Sequence, residues 1–156
     1  MINAFERVVI GRDLEVPRFG LGCAHIAKNG EEDAVAIVRA AFERGVIFFD
    51  TAPLYGRGVS ERCVGRGLAG VARDDFVLSS KVGRLIRDGQ PQFDFSADGI
   101  RRSLDESLHR LQLDHIDIAL IHDPHEYYEQ VLAESVPVLE EWREQSVDVV
   151  VGGFLQ

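Results

Sequence analysis

Val46-Ile47-Phe48-Phe49-Asp50, continued by Thr51-Ala52-Pro53-Leu54-Tyr55-Gly56, is the stretch whose reading decides the fold. A continuous apolar run that closes on a carboxylate has the pattern of a strand covered on both faces, as strands in parallel sheets are. Just before it, Ala34, Val35, Val38, Ala41 and Phe42 recur at helical spacing between Glu31 and Arg44. Acidic residues open that segment, and Gly45 stands where a helix ends. Helix followed by buried strand is half of a repeating unit.

Working outward, the same cycle returns. Ser60 and Glu61 can start a helix running to about Leu68, and FVLSSK (76–81) reads as the next strand. Ser96 can cap a helix from about Ala97 to Arg110, and IDIALIH (116–122) is another strand. A further helix is expected over 128–144, interrupted or restarted at Pro137, and VDVVV (147–151) forms a last apolar run. Before the first unit, RVVI, a Gly11-Arg12-Asp13 turn and LEVPRFG read as a hairpin, and FGLGC (19–23) is a short glycine-bearing strand. Alternating strands and helices with nearly all-apolar strands indicate an α/β protein with a parallel sheet wrapped by helices. The segment 84–95, rich in Gly, Asp, Gln and Pro, reads as a long strand-to-helix loop forming a substrate-side wall.

The chain has 156 residues, 46% of them apolar, which predicts a single domain over 1–156 with a real core. A formal charge of −9 disfavours nucleic acid and anionic membranes as partners. Cys23 and Cys63 are far apart and lie in no Cys/His ligand pattern, which argues against a disulfide scaffold or zinc site and favours a reducing, cytoplasmic compartment. No stretch reaches the roughly 18 apolar residues of a membrane span.

Four chemically active residues fall at or just past the ends of these strands: Asp50, Tyr55, Lys81 and His122. Parallel α/β folds build their sites on that edge. A phenol donates a proton poorly near neutrality unless its anion is stabilised, and the Lys81 ammonium can do that for Tyr55. Asp50 would hold Lys81 in place, while His122 could donate a hydrogen bond to a substrate oxygen and orient it. Such a site protonates a carbonyl oxygen as hydride reaches its carbon, or runs in reverse on an alcohol or a sugar's anomeric hydroxyl. Side chains carry no hydride, so a nicotinamide cofactor is required. Taken singly, each residue has a duller reading as a cap, a solvated strand end, a core histidine or a loop aromatic. Their recurrence at consecutive tips outweighs these.

FDTAPLYG, the lysine after LSS and the histidine of LIHDPH resemble the catalytic tetrad of the aldo-keto reductase family, and RFGLGCA resembles its first barrel strand. The likeness implies parallel (β/α) units of a TIM-type barrel with a hairpin closing its bottom, truncated to about half a barrel. It implies an oxidoreductase using NADP or NAD on an aldehyde or aldose, with Tyr55 as general acid/base, Lys81 its charge partner, Asp50 bonded to Lys81 near the nicotinamide ribose, and His122 orienting the substrate. Gly22 and Cys23, with Asp50, match positions near the cofactor. SSKVGR and HDPH are most like the aldose and pyridoxal dehydrogenase branch. Arg84 and His125 are candidates for touching a polar substrate, with solvated loop side chains the favoured reading for both.

The family's fifth strand usually ends in Gly-Val-Ser-Asn, where this chain has VGGFLQ, so ligands to the nicotinamide amide are expected to be altered. A rival reading is a non-catalytic fragment acting through self-association or pairing with a complementary half-barrel. Gly65, Gly67 and Gly70 spell G-x-G-x-x-G, but after a helical rather than a strand pattern. They are expected to end the helix begun near Ser60, not to bind a dinucleotide. His122-Asp123-Pro124-His125 could suggest a metal, but two loop histidines without further ligands make a poor set.

Overall fold

The computed structural model describes residues 6–11, 13–145 and 150–154. An antiparallel hairpin opens it, β1 (Arg7–Ile10) paired with β2 (Leu14–Pro17). Then come β3 (Leu21–Gly22), α1 (Glu31–Glu43), β4 (Phe48–Asp50), α2 (Val59–Gly67) and β5 (Val77–Val82). A second hairpin, β6 (Arg84–Arg87) with β7 (Gln90–Phe93), precedes α3 (Ala97–Leu111) and β8 (Ile118–His122). A helical segment, α4 (Tyr128–Gln130) through α5 (Val136–Gln145), leads to β9 (Val150–Phe154). The central sheet runs β3-β4-β5-β8-β9, every pair parallel.

Strand order here equals chain order, with no reversal. A sheet wound in one direction puts its crossover helices on one face, as in a barrel, whereas a doubly wound sheet uses both. The packing agrees. Phe49, Leu78, Val82, Ala119 and Ile121 point to one side, where they meet Val38 of α1, Val64 of α2, Ile100 of α3 and Val138 and Leu139 of α5. The alternate residues Phe48, Val77, Ile118 and Leu120 point to the other side, against Val8, Ile10, Leu14 and Val16 of the first hairpin. These are consecutive (β/α) units covering about half of a barrel, with the hairpin covering the lower part of the inner face.

One expectation needs correction, and two gain detail. The segment 84–95 is not a loop but a two-residue hairpin. Asp88 (φ 50) and Gly89 (φ 71) supply the positive-φ pair that a type I′ turn needs, and Asp-Gly is a favoured pair for that turn. α2 does end at Gly67, as the glycines led one to expect, but Gly65 lies inside it and both have a second role. A Cβ on Gly65 would collide with the Leu111 carbonyl, and one on Gly67 would come within 2.6 Å of Val38, so these glycines let α2 close on its neighbours. The helix expected from Ser60 to about Leu68 is α2, with Gly58 as its N-cap, so the Ser60 side chain is free for another task. Its hydroxyl instead joins Thr51 Oγ1 (2.8 Å) and the Cys23 carbonyl (2.9 Å), tying β3 to the loop after β4.

Ser96 does cap α3, accepting from the Gly99 amide. The predicted break near Pro137 takes the form of a wider π-helical turn over Val131–Ser135. Proline has no amide hydrogen for the carbonyl four residues back, and the wider turn sits directly before it. Residues 147–149 of the last apolar run lie outside the described residues; the strand itself is Val150–Phe154.

Candidate functional site

The inner face of the sheet changes character along its length. Phe48, Val77 and Ile118 form its apolar lower part, while Asp50, Ser79, Lys81 and His122 occupy the C-terminal end. Because strand side chains alternate, Val77, Ser79 and Lys81 share one face of β5, and Ile118, Leu120 and His122 one face of β8. Asp50 is opposite Ser79 in register, which lets Lys81, two residues higher, reach back to it.

Lys81 is only 3% exposed, and its three N–H donors match three acceptors: Asp50 Oδ1 and Oδ2 and the Thr51 carbonyl, each at 2.9 Å. Ser79 also donates to Asp50 Oδ1, at 3.0 Å. An ammonium removed from water needs this degree of pairing. Lys81 Nζ lies 4.8 Å from the centroid of the Tyr55 ring, over its face. The Tyr55 ring in turn meets the His122 imidazole edge-on, with centroids 6.0 Å apart. The four residues singled out in the sequence therefore form one contiguous cluster.

His122 is 6% exposed, and its Nδ1 is buried without a hydrogen-bond partner. Burial, reinforced by the Arg84 charge, lowers its pKa from 6.5 to about 4, so the ring is neutral near neutrality. A neutral imidazole is a donor at one nitrogen only, which suits a group that orients an oxygen. Cys23 is fully buried beside the cluster, its amide donating to the Asp50 carbonyl at 2.8 Å. Burial first and then the Asp50 charge push its thiol up to about 12, so it is no nucleophile. Gly22, paired with Asp50 across the strands, faces open space: a Cβ there would meet no atom within 4 Å.

A cavity of about 330 Å³ opens beside Tyr55, lined by Cys23, His25, Lys28, Gly56 and Val59 among others. Of the four clustered residues Tyr55 lines it, while Asp50, Lys81 and His122 do not. Arg84 and His125 line a separate cavity of about 200 Å³ with Phe93, Asp123 and Tyr127. His125 is exposed, as a loop side chain would be, but Arg84 is not solvated: it bonds the His122 and Asp123 carbonyls. Among the described residues no three His, Cys, Asp or Glu side chains gather as a metal-binding group.

Two charged residues have partners that sequence reasoning did not find. Glu61 is fully buried, accepting from Ser80 Oγ at 2.8 Å and pairing with Arg110 Nε at 2.6 Å. Its position in α2 carried no signal, because its partner lies 49 residues away. Arg84 was noted as a candidate for touching a polar substrate; its bonds to the His122 and Asp123 carbonyls were not foreseen, and the Asp-Gly turn that places it on a strand was the missed clue.

A family model described as the Aldo/keto reductase family matches residues 18–145. The chain is 40% identical over 146 residues to L-galactose dehydrogenase of Arabidopsis thaliana, covering 89% of this chain and 44% of that protein. It is 33% identical to D-threo-aldose 1-dehydrogenase of a Pseudomonas species, covering 97% and 54%. Its fold superposes on an aldo-keto reductase of Bacillus halodurans in its holo form with a TM-score of 0.84 at 31% identity, over 96% of this chain and 50% of that one. The chain belongs to the aldo/keto reductase family. It spans about half the length of the relatives it matches. Those relatives carry oxidoreductase names, which lends the non-catalytic, associating reading no support.

Proposed function

We propose that this chain carries the proton-transfer half of an NAD(P)-dependent oxidoreductase that interconverts a carbonyl and an alcohol on an aldehyde or aldose. The observation that supports it most directly is the Lys81 ammonium, bound to both Asp50 oxygens and seated over the face of Tyr55. Tyr55 is the general acid in reduction and the base in oxidation. Lys81 supplies the positive charge that favours the phenolate, and Asp50 with the Thr51 carbonyl keeps that charge in one place. His122, neutral and edge-on to Tyr55, directs the substrate oxygen toward the phenol.

A nicotinamide cofactor, the redox partner used across this family, supplies the hydride when bound. The residues present fit it: Gly22 opens onto free space at the tip of β3, and the Asp50 carboxylate, one-third exposed, remains able to accept from a ribose hydroxyl. Cys23 contributes backbone at the same edge. The two free thiols, Cys23 and Cys63, support a reducing, cytoplasmic setting.

Fluorescence titration with NADPH and NADH, followed by assays on aldehydes and aldoses, tests this reading. Saturable binding with turnover that is lost in Tyr55→Phe is the expected result. A folded protein that binds neither nucleotide up to millimolar concentration refutes it.

A further inference from the structure

The turn after β8 adopts an unusual conformation. Asp123 has φ 44, in the left-handed region that residues other than glycine seldom occupy. Such a conformation persists only where its surroundings hold it. One side chain does most of that holding. Arg84, the first residue of β6, donates from Nε to the His122 carbonyl at 3.0 Å and from Nη2 to the Asp123 carbonyl at 3.2 Å. Nη2 also pairs with Asp123 Oδ2 at 3.1 Å, and the guanidinium lies 4.8 Å over the Phe93 ring. Both members of the ion pair are about one-sixth exposed, at 16% and 15%.

We propose that Arg84 is a positioning residue that acts through the His122–Asp123 turn, holding the His122 imidazole in the direction and charge state that a substrate carbonyl requires. This rests on the reading of His122 as the group that orients the substrate. Arg84 uses a rigid fork, and three acceptors on two consecutive residues fix the turn in a way a single ammonium could not. The second effect is electrostatic. Asp123 Oδ2 stands 3.8 Å from His122 Nε2 and would draw a proton onto the ring if left unpaired. Arg84 engages that carboxylate and adds a repelling positive charge.

The other charged groups acting on the imidazole come from neighbouring strands. Lys81 of β5 acts with Arg84 to disfavour the imidazolium; Asp50 of β4 acts with Asp123 to favour it. Asp50 is already bound to Lys81, so Arg84 and Asp123 form the pair whose balance a single substitution upsets.

Ring-nitrogen NMR of His122 between pH 4 and 8, on the wild-type chain, Arg84→Met and Arg84→Lys, tests the proposal without needing turnover. In wild type the proposal expects one tautomer and a ring that stays neutral until the pH falls close to 4. Arg84→Met is expected to move the titration from about 4 toward the ordinary 6.5 and to shift the His122 and Asp123 amide signals. Arg84→Lys keeps the charge but loses the fork, so it recovers most of the low titration while leaving the tautomers mixed. The double variant Arg84→Met/Asp123→Asn removes the competing carboxylate and brings the titration back down. Unchanged ring-nitrogen signals in folded Arg84→Met overturn the proposal. Should Arg84→Met fail to fold, a single wild-type tautomer retained in Arg84→Lys overturns it equally. Failure of the oxidoreductase reading shows instead as absent nucleotide binding, with these His122 shifts intact.

Discussion

Two buried ion pairs flank β5 on opposite faces, and they differ in one respect that separates chemistry from support. On the inner face Lys81 pairs with Asp50, and Ser79 donates to the same carboxylate. On the outer face Glu61 pairs with Arg110, and Ser80 donates to that carboxylate. Adjacent serines thus serve two mirror arrangements. The outer carboxylate is sealed, with no exposure, between α2, α3 and the sheet. The inner carboxylate is one-third exposed and faces the open end of the strands. A sealed pair can only hold elements together; a pair with one open side can also meet a ligand. Burial alone does not mark a functional charge, whereas a nearly buried lysine with an accessible partner does.

The largest stability effect is expected at the sealed pair. Glu61→Ala takes from Arg110, 16% exposed, its nearer carboxylate and from the buried Ser80 hydroxyl its acceptor, and should cost about 3 kcal/mol in urea unfolding. A loss below about 1 kcal/mol would show that the outer pair behaves like a surface contact and would break the contrast. Lys81→Met reverses the pattern: turnover should fall about 10²–10⁴-fold, while the unfolding midpoint moves far less than in Glu61→Ala because water can reach Asp50. Kinetics and denaturation on the same two variants read the contrast directly. Gly65→Ala sharpens it further. Gly65 lies one helical turn beyond Glu61, against the carbonyl of the residue after Arg110, and the close approach of α2 to α3 is what seals the pair. Overpacking there should cost about 1–3 kcal/mol without a change in KM.

The last effect concerns pH. With a folded pKa near 4 against an ordinary 6.5, His122 binds its proton more readily in the unfolded chain than in the native one. Stability is therefore retained above 6.5 and declines as pH falls toward 4, by at most about 1.4 kcal/mol for each pH unit in that window. Comparing urea midpoints of wild type and His122→Phe at pH 4.5 and 7.5 isolates this contribution. An identical pH dependence in the two proteins would place the His122 ring in water.

The inner site was legible in the amino-acid sequence because each member ends or closely follows an apolar run, and parallel strands deliver their last residues to one edge. Asp50, Lys81 and His122 could be placed from local pattern, and Tyr55 from its position five residues past Asp50. The outer pair was not legible. Glu61 and Arg110 are ordinary polar residues on two amphipathic helices, and their meeting depends on how closely α2 and α3 approach. Gly65 and Gly67 held that information but read as a helix end, since a glycine that stops a helix and one that admits a neighbour look alike without the neighbour. The second hairpin was legible in principle. Asp88-Gly89 announces its turn, but Pro91 and the polar residues around it masked the strand alternation. Arg84's role required knowing both the hairpin and the left-handed Asp123.

The alternation along Val77–Val82 has a consequence for how this chain tolerates length changes. Odd-numbered residues there face the interior and even-numbered ones face the helices, so one inserted or deleted residue upstream of Ser79 within the strand inverts every assignment. Lys81 would turn toward Glu61 and a serine would stand beside Asp50. The site would lose its ammonium to the scaffold side in a single step. The identity of the site is therefore a matter of parity, and this six-residue strand can absorb conservative replacements far more readily than a shift of frame.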